Sequence, residues 1–267
     1  MIKNWIITGD THGKVEHRLY QIAYSFENLV PEETAVIILG DAGLNYYLNK
    51  TDRMEKERSS VYGYRIYCVR GNHEQRPQHV EGMMLVDDED AGGKVHMEED
   101  FPLIRYFTDG GEYTIADKSV LVIGGAYSVD KYHRLERATG HSFSGWFEDE
   151  QLNTEERANI MAAISGKHYD FVLTHTAPIA WEPTDLFLRG IDQSTVDKTM
   201  ECWLQEVAES ITYGQWLFGH YHADRIEAPH VEQFFQECED LKIIVNRWER
   251  YDKTGELDWW LPKSPRL

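Results

Sequence analysis

The chain has 267 residues, 46 acidic against 27 basic ones, a formal net charge of -19 and 42% hydrophobic residues. Such a composition can bury a core and excludes a largely disordered chain. The acidic balance disfavours extended nucleic acid and anionic membranes as partners, yet it leaves a phosphate substrate open, because bound divalent cations invert the local charge.

In chain order, Asn4 to Thr8 is a short apolar run that ends at Gly9-Asp10 and reads as a buried strand. It is too short for a secretory signal or a membrane span, so the expected location is the cytoplasm. Val15 to Leu29 carries apolar residues at helical spacing and is closed by Pro31. Ala35 to Leu39 is a second strand, ending at Gly40-Asp41. Leu48 to Val61 is charged and predicts a solvated helix. Tyr64 to Val69 is a third strand, ending at Gly71-Asn72-His73-Glu74. This alternation predicts a layered α/β fold, read as a single domain over 1–267.

The middle of the chain changes character. Val86 to Gly93, with its run Asp87-Asp88-Glu89-Asp90, predicts an exposed loop. Glu112 to Ile123 predicts a β-hairpin turning at Asp117-Lys118 and ended by Gly124-Gly125. The polar stretch 131–165 predicts a helical excursion near the site, with Asn153 and Glu156 spaced as a capping box. Asp170 to Thr174 then runs into His175, and Ser194 to Ile211 predicts an amphipathic helix. Gln215 to Phe218 runs into Gly219-His220-Tyr221-His222. Leu241 to Asn246 predicts a last strand, before a tail in which Trp259 and Trp260 are expected to pack. The cysteines Cys68, Cys202 and Cys238 form no CxxC pair, which suggests neither a disulfide framework nor a thiolate zinc site and fits a reducing compartment.

The chemistry lies at the strand ends. Asp10/His12, Asp41, Asn72/His73, His175 and His220/His222 each follow an apolar strand directly. In open α/β sheets ligands bind just beyond the carboxyl ends of the strands, so these turns are expected to meet. Carboxylate, imidazole and amide oxygen together suit divalent Mn, Fe or Zn. Arg70, next to one ligand turn, is a candidate phosphate fork or else a structural ion pair. Lys131 and Arg134 are candidates for a substrate clamp or a solvated helix face, and His96 and His141 for the lining of the cleft.

Asp10-Thr-His12-Gly, Gly40-Asp41, Gly71-Asn72-His73-Glu74, His175 and Gly219-His220-Tyr-His222 occur in that order, and the set resembles the calcineurin-like metallophosphoesterase superfamily. The resemblance implies a four-layer α/β/β/α sandwich of two mixed sheets. It implies one metal on Asp10, His12 and His222, a second on Asn72, His175 and His220, and Asp41 bridging the pair. His73 would be the proton donor and Glu74 would orient it. The implied activity is hydrolysis of phosphomonoesters or phosphodiesters, including small nucleotides, by a metal-bridging hydroxide.

Arg70-Gly-Asn-His-Glu74 is also similar to the block of serine/threonine protein phosphatases. The second block of those enzymes continues with an Asp-Arg pair, whereas here it continues Ala42-Gly43-Leu44. The chain is more similar to small bacterial and phage-type metallophosphoesterases, in Gly92-Gly93-Lys94-Val95-His96, in Gly124 to Lys131 and in Thr174 to Pro178. A non-catalytic scaffold of this fold is a third reading, but such a scaffold is expected to have lost His73 or several ligands.

Overall fold

The computed structural model describes residues 1–137, 145–187 and 192–257. One sheet contains β1 (Asn4–Thr8), β2 (Thr34–Ile38), β3 (Arg65–Cys68), β4 (Met83–Asp88), β5 (Gly93–Glu98), β6 (Ile104–Phe107) and β13 (Cys238–Asp240). Its order is β13-β1-β2-β3-β6-β5-β4. The other contains β7 (Gly111–Ile115), β8 (Lys118–Ile123), β9 (His168–Thr174), β10 (Thr212–Phe218), β11 (Arg225–Ala228) and β12 (Val231–Gln233), in the order β11-β12-β10-β9-β8-β7. β1, β2, β3 and β6 run parallel, as do β8, β9, β10 and β12. Antiparallel strands close the outer positions of both sheets.

Side-chain alternation along the central strands sets the layers. Ile7, Ile37 and Tyr67 pack with Val122, Phe171, Leu173 and Leu217 between the two sheets. Ile6, Val36, Ile38 and Ile66 face the other way and pack on Val15, Leu19 and Ile22 of α1 (Val15–Ser25). Leu121, Val172, Trp216 and Phe218 likewise pack outward against Met200, Trp203, Leu204 and Val207 of α5 (Thr199–Ser210). The result is the expected α/β/β/α order. Central strands buried on both faces read as continuous apolar runs, which is why they were visible in the sequence. Burying one such side chain contributes about 1.5–3 kcal/mol, so the seam between the sheets holds the strand ends firmly.

Several local expectations need correction. The segment expected as a loop at 86–93 is the end of β4 and the turn into β5. Asp88 is buried there; it accepts from the Tyr67 hydroxyl, from Arg105 Nε and from the Asp90 and Ala91 amides, while Asp90 pairs with Arg65. The acidic run is therefore partly a structural latch, not only a solvated surface. Leu241 to Asn246 begins α6 (Leu241–Thr254) and is not a strand. Its β-branched run suggested extension. The burial of Leu241, Ile244 and Trp248 at helical spacing, the Asp240 cap and the left-handed Gly255 decide for helix.

The hairpin at 112–123 is present, with Ala116 and Asp117 both at positive φ in its two-residue turn. The charged helix is α2 (Lys50–Ser60), and the helix expected from Ser194 begins only at Thr199. The excursion at 131–165 is not one helical cover. It comprises α3 (Lys131–Arg137) and α4 (Thr154–Ile164), and α4 carries the expected Asn153/Glu156 capping box. Trp259, Trp260 and His141 lie outside the described residues. Among the described residues, no helix is long and apolar enough to cross a membrane.

Candidate metal centre

The parallel strands end level with one another. Thr8 pairs with Ile38 and Ile38 with Cys68; Phe218 pairs with Thr174 and Thr174 with Ile123. The turns that follow therefore leave both sheets together. Asp10 Oδ2 lies 3.3 Å from His222 Nε2 and 3.7 Å from His12 Nε2. Asp41 lies 3.8 Å from His12 Nδ1 through Oδ2 and 3.5 Å from His175 Nε2 through Oδ1. Asn72 Oδ1 is 2.8 Å from the same His175 Nε2. The His220 ring packs edge-on to His175, with centroids 4.9 Å apart, and its backbone N–H donates to Asp10 Oδ1 at 3.0 Å. The structure thus brings all the residues expected as ligands into one cluster.

The backbone is bent to achieve this. His12, Asp41, His220 and His222 sit at φ of 47°, 50°, 70° and 55°. Left-handed conformations in non-glycine residues cost about 1–3 kcal/mol each and persist where the surroundings enforce them, often at functional sites. Two glycines make the room. A Cβ on Gly40, itself at φ +93°, would stand 2.0 Å from His175 Nδ1. One on Gly71 would stand 1.9 Å from Asp41 Oδ1.

The donor set fits a cation. His175 Nδ1 is 2.9 Å from the Leu39 carbonyl oxygen, which can only accept, so Nδ1 carries the proton. Nε2 faces Asn72 Oδ1 and Asp41 Oδ1, both acceptors, so a positive charge belongs among the three, either a bound cation or a proton on Nε2. The Asn72 amide is not free to flip, because its Nδ2 donates to Ser128 Oγ at 2.9 Å while Ser128 Oγ donates onward to Glu150 Oε2. His12 Nε2 and His222 Nε2 approach to 2.8 Å, and the buried Asp10 Oδ2 has no hydrogen-bond partner. Asp10/His12/His222 and Asp10/Asp41/His175 each place their ligand atoms within 4.8 Å of one another.

Electrostatics agree. Burial alone would raise Asp41, but His175, His73 and His12 hold its carboxyl below the usual range. Burial also opposes ionisation of Asp10, and the nearby imidazoles of His222 and His175 outweigh it. Burial and the neighbouring His175 push His220 down to about 3, so its ring offers a lone pair at neutral pH. Such a pattern, with ionised carboxylates and neutral imidazole, is what cations require of their ligands.

His73 lies beside this cluster. Its Nε2 is 3.8 Å from Asp41 Oδ2, and its backbone N–H donates to Asp41 Oδ1 at 2.8 Å. Distance alone would admit it as a ligand with His12 and Asp41. However, Arg134 Nη2 stands 2.5 Å from its Nε2 and 3.0 Å from its Nδ1, and a cation on that ring would face a guanidinium. Asp130 accepts from Arg134 Nε at 2.7 Å and the Gly145 carbonyl from Nη1 at 2.7 Å. Glu74 does not orient His73 as expected. It is buried under the turn, accepts from the Gly71 N–H at 2.9 Å, and is pushed up to about 7 by burial and by Asp41. Arg134 is the side chain that meets the ring.

The other expected substrate contacts divide. Arg134 lines the cleft that opens from the centre. Arg70 does not. Its buried guanidinium donates to Asp109 Oδ2 at 2.8 Å and to the carbonyls of Glu150 at 2.7 Å and Gly124 at 3.2 Å, so it is the structural ion pair and ties neighbouring loops together. Lys131 places its Nζ 4.1 Å over the Trp146 ring, a cation–π contact outside the cleft lining. His96 borders a separate cavity with Arg70 and Arg76.

Ser128 and Glu150 had not been singled out. The only trace of Ser128 in the sequence was its place in the Gly124 to Lys131 block beyond a strand end, and nothing marked Glu150. Ser128→Ala is expected to weaken Mn²⁺ binding about 10- to 100-fold, the usual effect of losing a side chain that orients a ligand. Titration calorimetry on the folded variant measures this; wild-type affinity would remove Ser128 from that role.

No curated protein matches the chain. The sequence profile of the calcineurin-like phosphoesterases matches residues 5–224, from β1 through the last of the ligand turns. A match of that length, over turns that fold into a single acceptor cluster, means that the chain belongs to the calcineurin-like phosphoesterase family.

Proposed function

We propose that the chain hydrolyses phosphoesters of small organic alcohols, nucleotides among them, with a pair of divalent cations held by Asp10, His12, Asp41, Asn72, His175, His220 and His222. The observation that carries this reading is the convergence of Asp41, Asn72 and His175 beside an open cleft, with Asn72 Oδ1 2.8 Å and Asp41 Oδ1 3.5 Å from His175 Nε2. When bound, two divalent ions supply Lewis acidity toward phosphoryl oxygens and a nucleophilic water at neutral pH.

The chain's own residues do the rest. Asp41 reaches both halves of the cluster through its two oxygens and is the natural bridge. His73 borders the cleft next to Asp41 and is placed to give a proton to the leaving oxygen. Arg134, fixed by Asp130 and Gly145, presents a guanidinium beside His73 where phosphoryl charge builds. The cleft, about 390 Å³, has the size of a small-molecule site. That size, with Leu44 and Asn45 standing where the Asp-Arg pair would be, argues against a protein substrate.

The test is Mn²⁺-stimulated hydrolysis of p-nitrophenyl phosphate and bis-p-nitrophenyl phosphate by the full chain. Turnover of either, abolished by EDTA and restored by Mn²⁺, is expected. The ratio of the two rates separates monoesterase from diesterase. Fully loaded protein that turns over neither ester nor any nucleotide would favour the scaffold reading.

A further inference from the structure

Residues 234–237 leave β12 of one sheet and enter β13 of the other, so they cross between the sheets at the end that carries the ligand turns. The family profile ends at residue 224, and this crossing lies beyond the matched residues. It presses on two of the ligand turns. A Cβ on Gly9, the residue before Asp10, would stand 2.0 Å from the Phe234 carbonyl oxygen and 2.6 Å from Phe235 Cα. The Phe235 ring stacks on the His222 ring, with centroids 4.7 Å apart and planes 27° apart. One residue thus abuts the strand end of Asp10 with its backbone and His222 with its side chain.

The crossing is itself held from three sides. The Asp224 carboxylate accepts from the backbone amides of Phe235 at 2.7 Å, Gln236 at 3.0 Å and Glu237 at 3.0 Å. Buried Arg18 of α1 donates to the Phe235 carbonyl at 2.6 Å. The Phe234 amide donates to the Phe218 carbonyl at 2.9 Å and continues the pairing of β12 with β10.

His222 benefits from such a wall. Its side chain is 50% exposed, and its Nε2 stands 3.3 Å from Asp10 Oδ2 and 2.8 Å from His12 Nε2, the other members of one cation-ready group. His175 is aimed by the Leu39 carbonyl and the Asn72 amide by Ser128, whereas His222 rests on an aromatic face. A ring already held by offset stacking loses little rotamer freedom when an ion binds. Resting on the metal centre of the proposed function, we propose that Phe235 is a positioning residue for the cation site of Asp10, His12 and His222: its ring, fixed by Asp224 and Arg18, holds His222 in place. The effect is confined to that ion, because Asn72 and His175 have their own supports.

The test is calorimetric titration of the metal-free full chain with Mn²⁺, which is expected to resolve two ions in the wild type. Phe235 is half-buried and outside the core clusters, so its variants should fold. Phe235→Ala is expected to weaken one ion about tenfold, in the range usual for losing a side chain that supports a metal ligand, and to leave the other within about twofold. Phe235→Tyr keeps the flat face and should keep wild-type affinity. His222→Ala removes the supported ligand, and adding Phe235→Ala to it should change the affinity of the remaining ion no further.

Wild-type affinity for both ions in Phe235→Ala, equal weakening of both, or a loss in Phe235→Tyr as large as in Phe235→Ala would each overturn the proposal. A further loss when Phe235→Ala is added to His222→Ala would do the same. A wild-type chain that binds no Mn²⁺ sinks the metal-centre reading and this inference with it. Two ions bound by the wild type, together with any of the overturning results in the variants, sink this inference alone.

Discussion

Asp41→Ala is expected to empty the centre. Asp41 touches both halves of the donor cluster, 3.8 Å from His12 and 3.5 Å from His175, and it also accepts the His73 amide. Removing it takes away the carboxylate whose two oxygens face His12 and His175, and it leaves the imidazoles to bind cations separately. Manganese content by plasma mass spectrometry should fall from about two ions per chain to fewer than one, and kcat/KM by about a thousandfold or more. Backbone strain complicates the alanine, because residue 41 sits at φ 50°. Asp41→Asn is the better-matched partner, since asparagine tolerates the left-handed region and keeps the volume. Both variants should lose metal while retaining near-UV circular dichroism. Full occupancy in the folded Asn variant would contradict a bridging carboxylate.

His73→Ala should do the opposite, keeping metal and losing turnover. The ring borders the cleft and is contacted by Arg134, while the ligand cluster closes without it. Loss of a positioned proton donor costs about 10²–10⁴ in rate. That loss should be greatest for an alkyl phosphate, whose leaving alkoxide needs a proton, and much smaller for p-nitrophenyl phosphate, whose phenolate leaves without one. Rates on both esters, with manganese content measured on the same samples, give the answer. Equal losses on the two esters, or manganese lost with the ring, would assign His73 to the metal instead of the leaving group.

Much of this was legible because ligand residues directly follow the central strands. A strand buried on both faces announces itself as an apolar run. The residue after its end is fixed in space by the sheet register, so Asp10, Asp41, Asn72, His175 and His220 could be placed from the sequence. The failures occurred where neighbours in space, not in sequence, decide. The acidic run at 87–90 looked like solvent-facing loop because its partners, Tyr67, Arg105 and Arg65, belong to other strands. Leu241 to Asn246 looked extended because β-branched residues dominate it, and packing of Trp248 with the rest of the inter-sheet cluster outweighed that local preference.

The sequence by itself determined the layered α/β fold, the order of the strand-end turns and the residues that could hold cations, since each follows from local hydrophobic patterning and residue chemistry. Only the tertiary structure decided where long, flexible side chains point. It turned Arg70 away onto Asp109, laid Lys131 over Trp146, set Arg134 against His73, and locked the Asn72 amide through Ser128 and Glu150. An arginine or lysine reaches several alternative partners from one backbone position, and the choice among them is an electrostatic competition between groups distant in sequence.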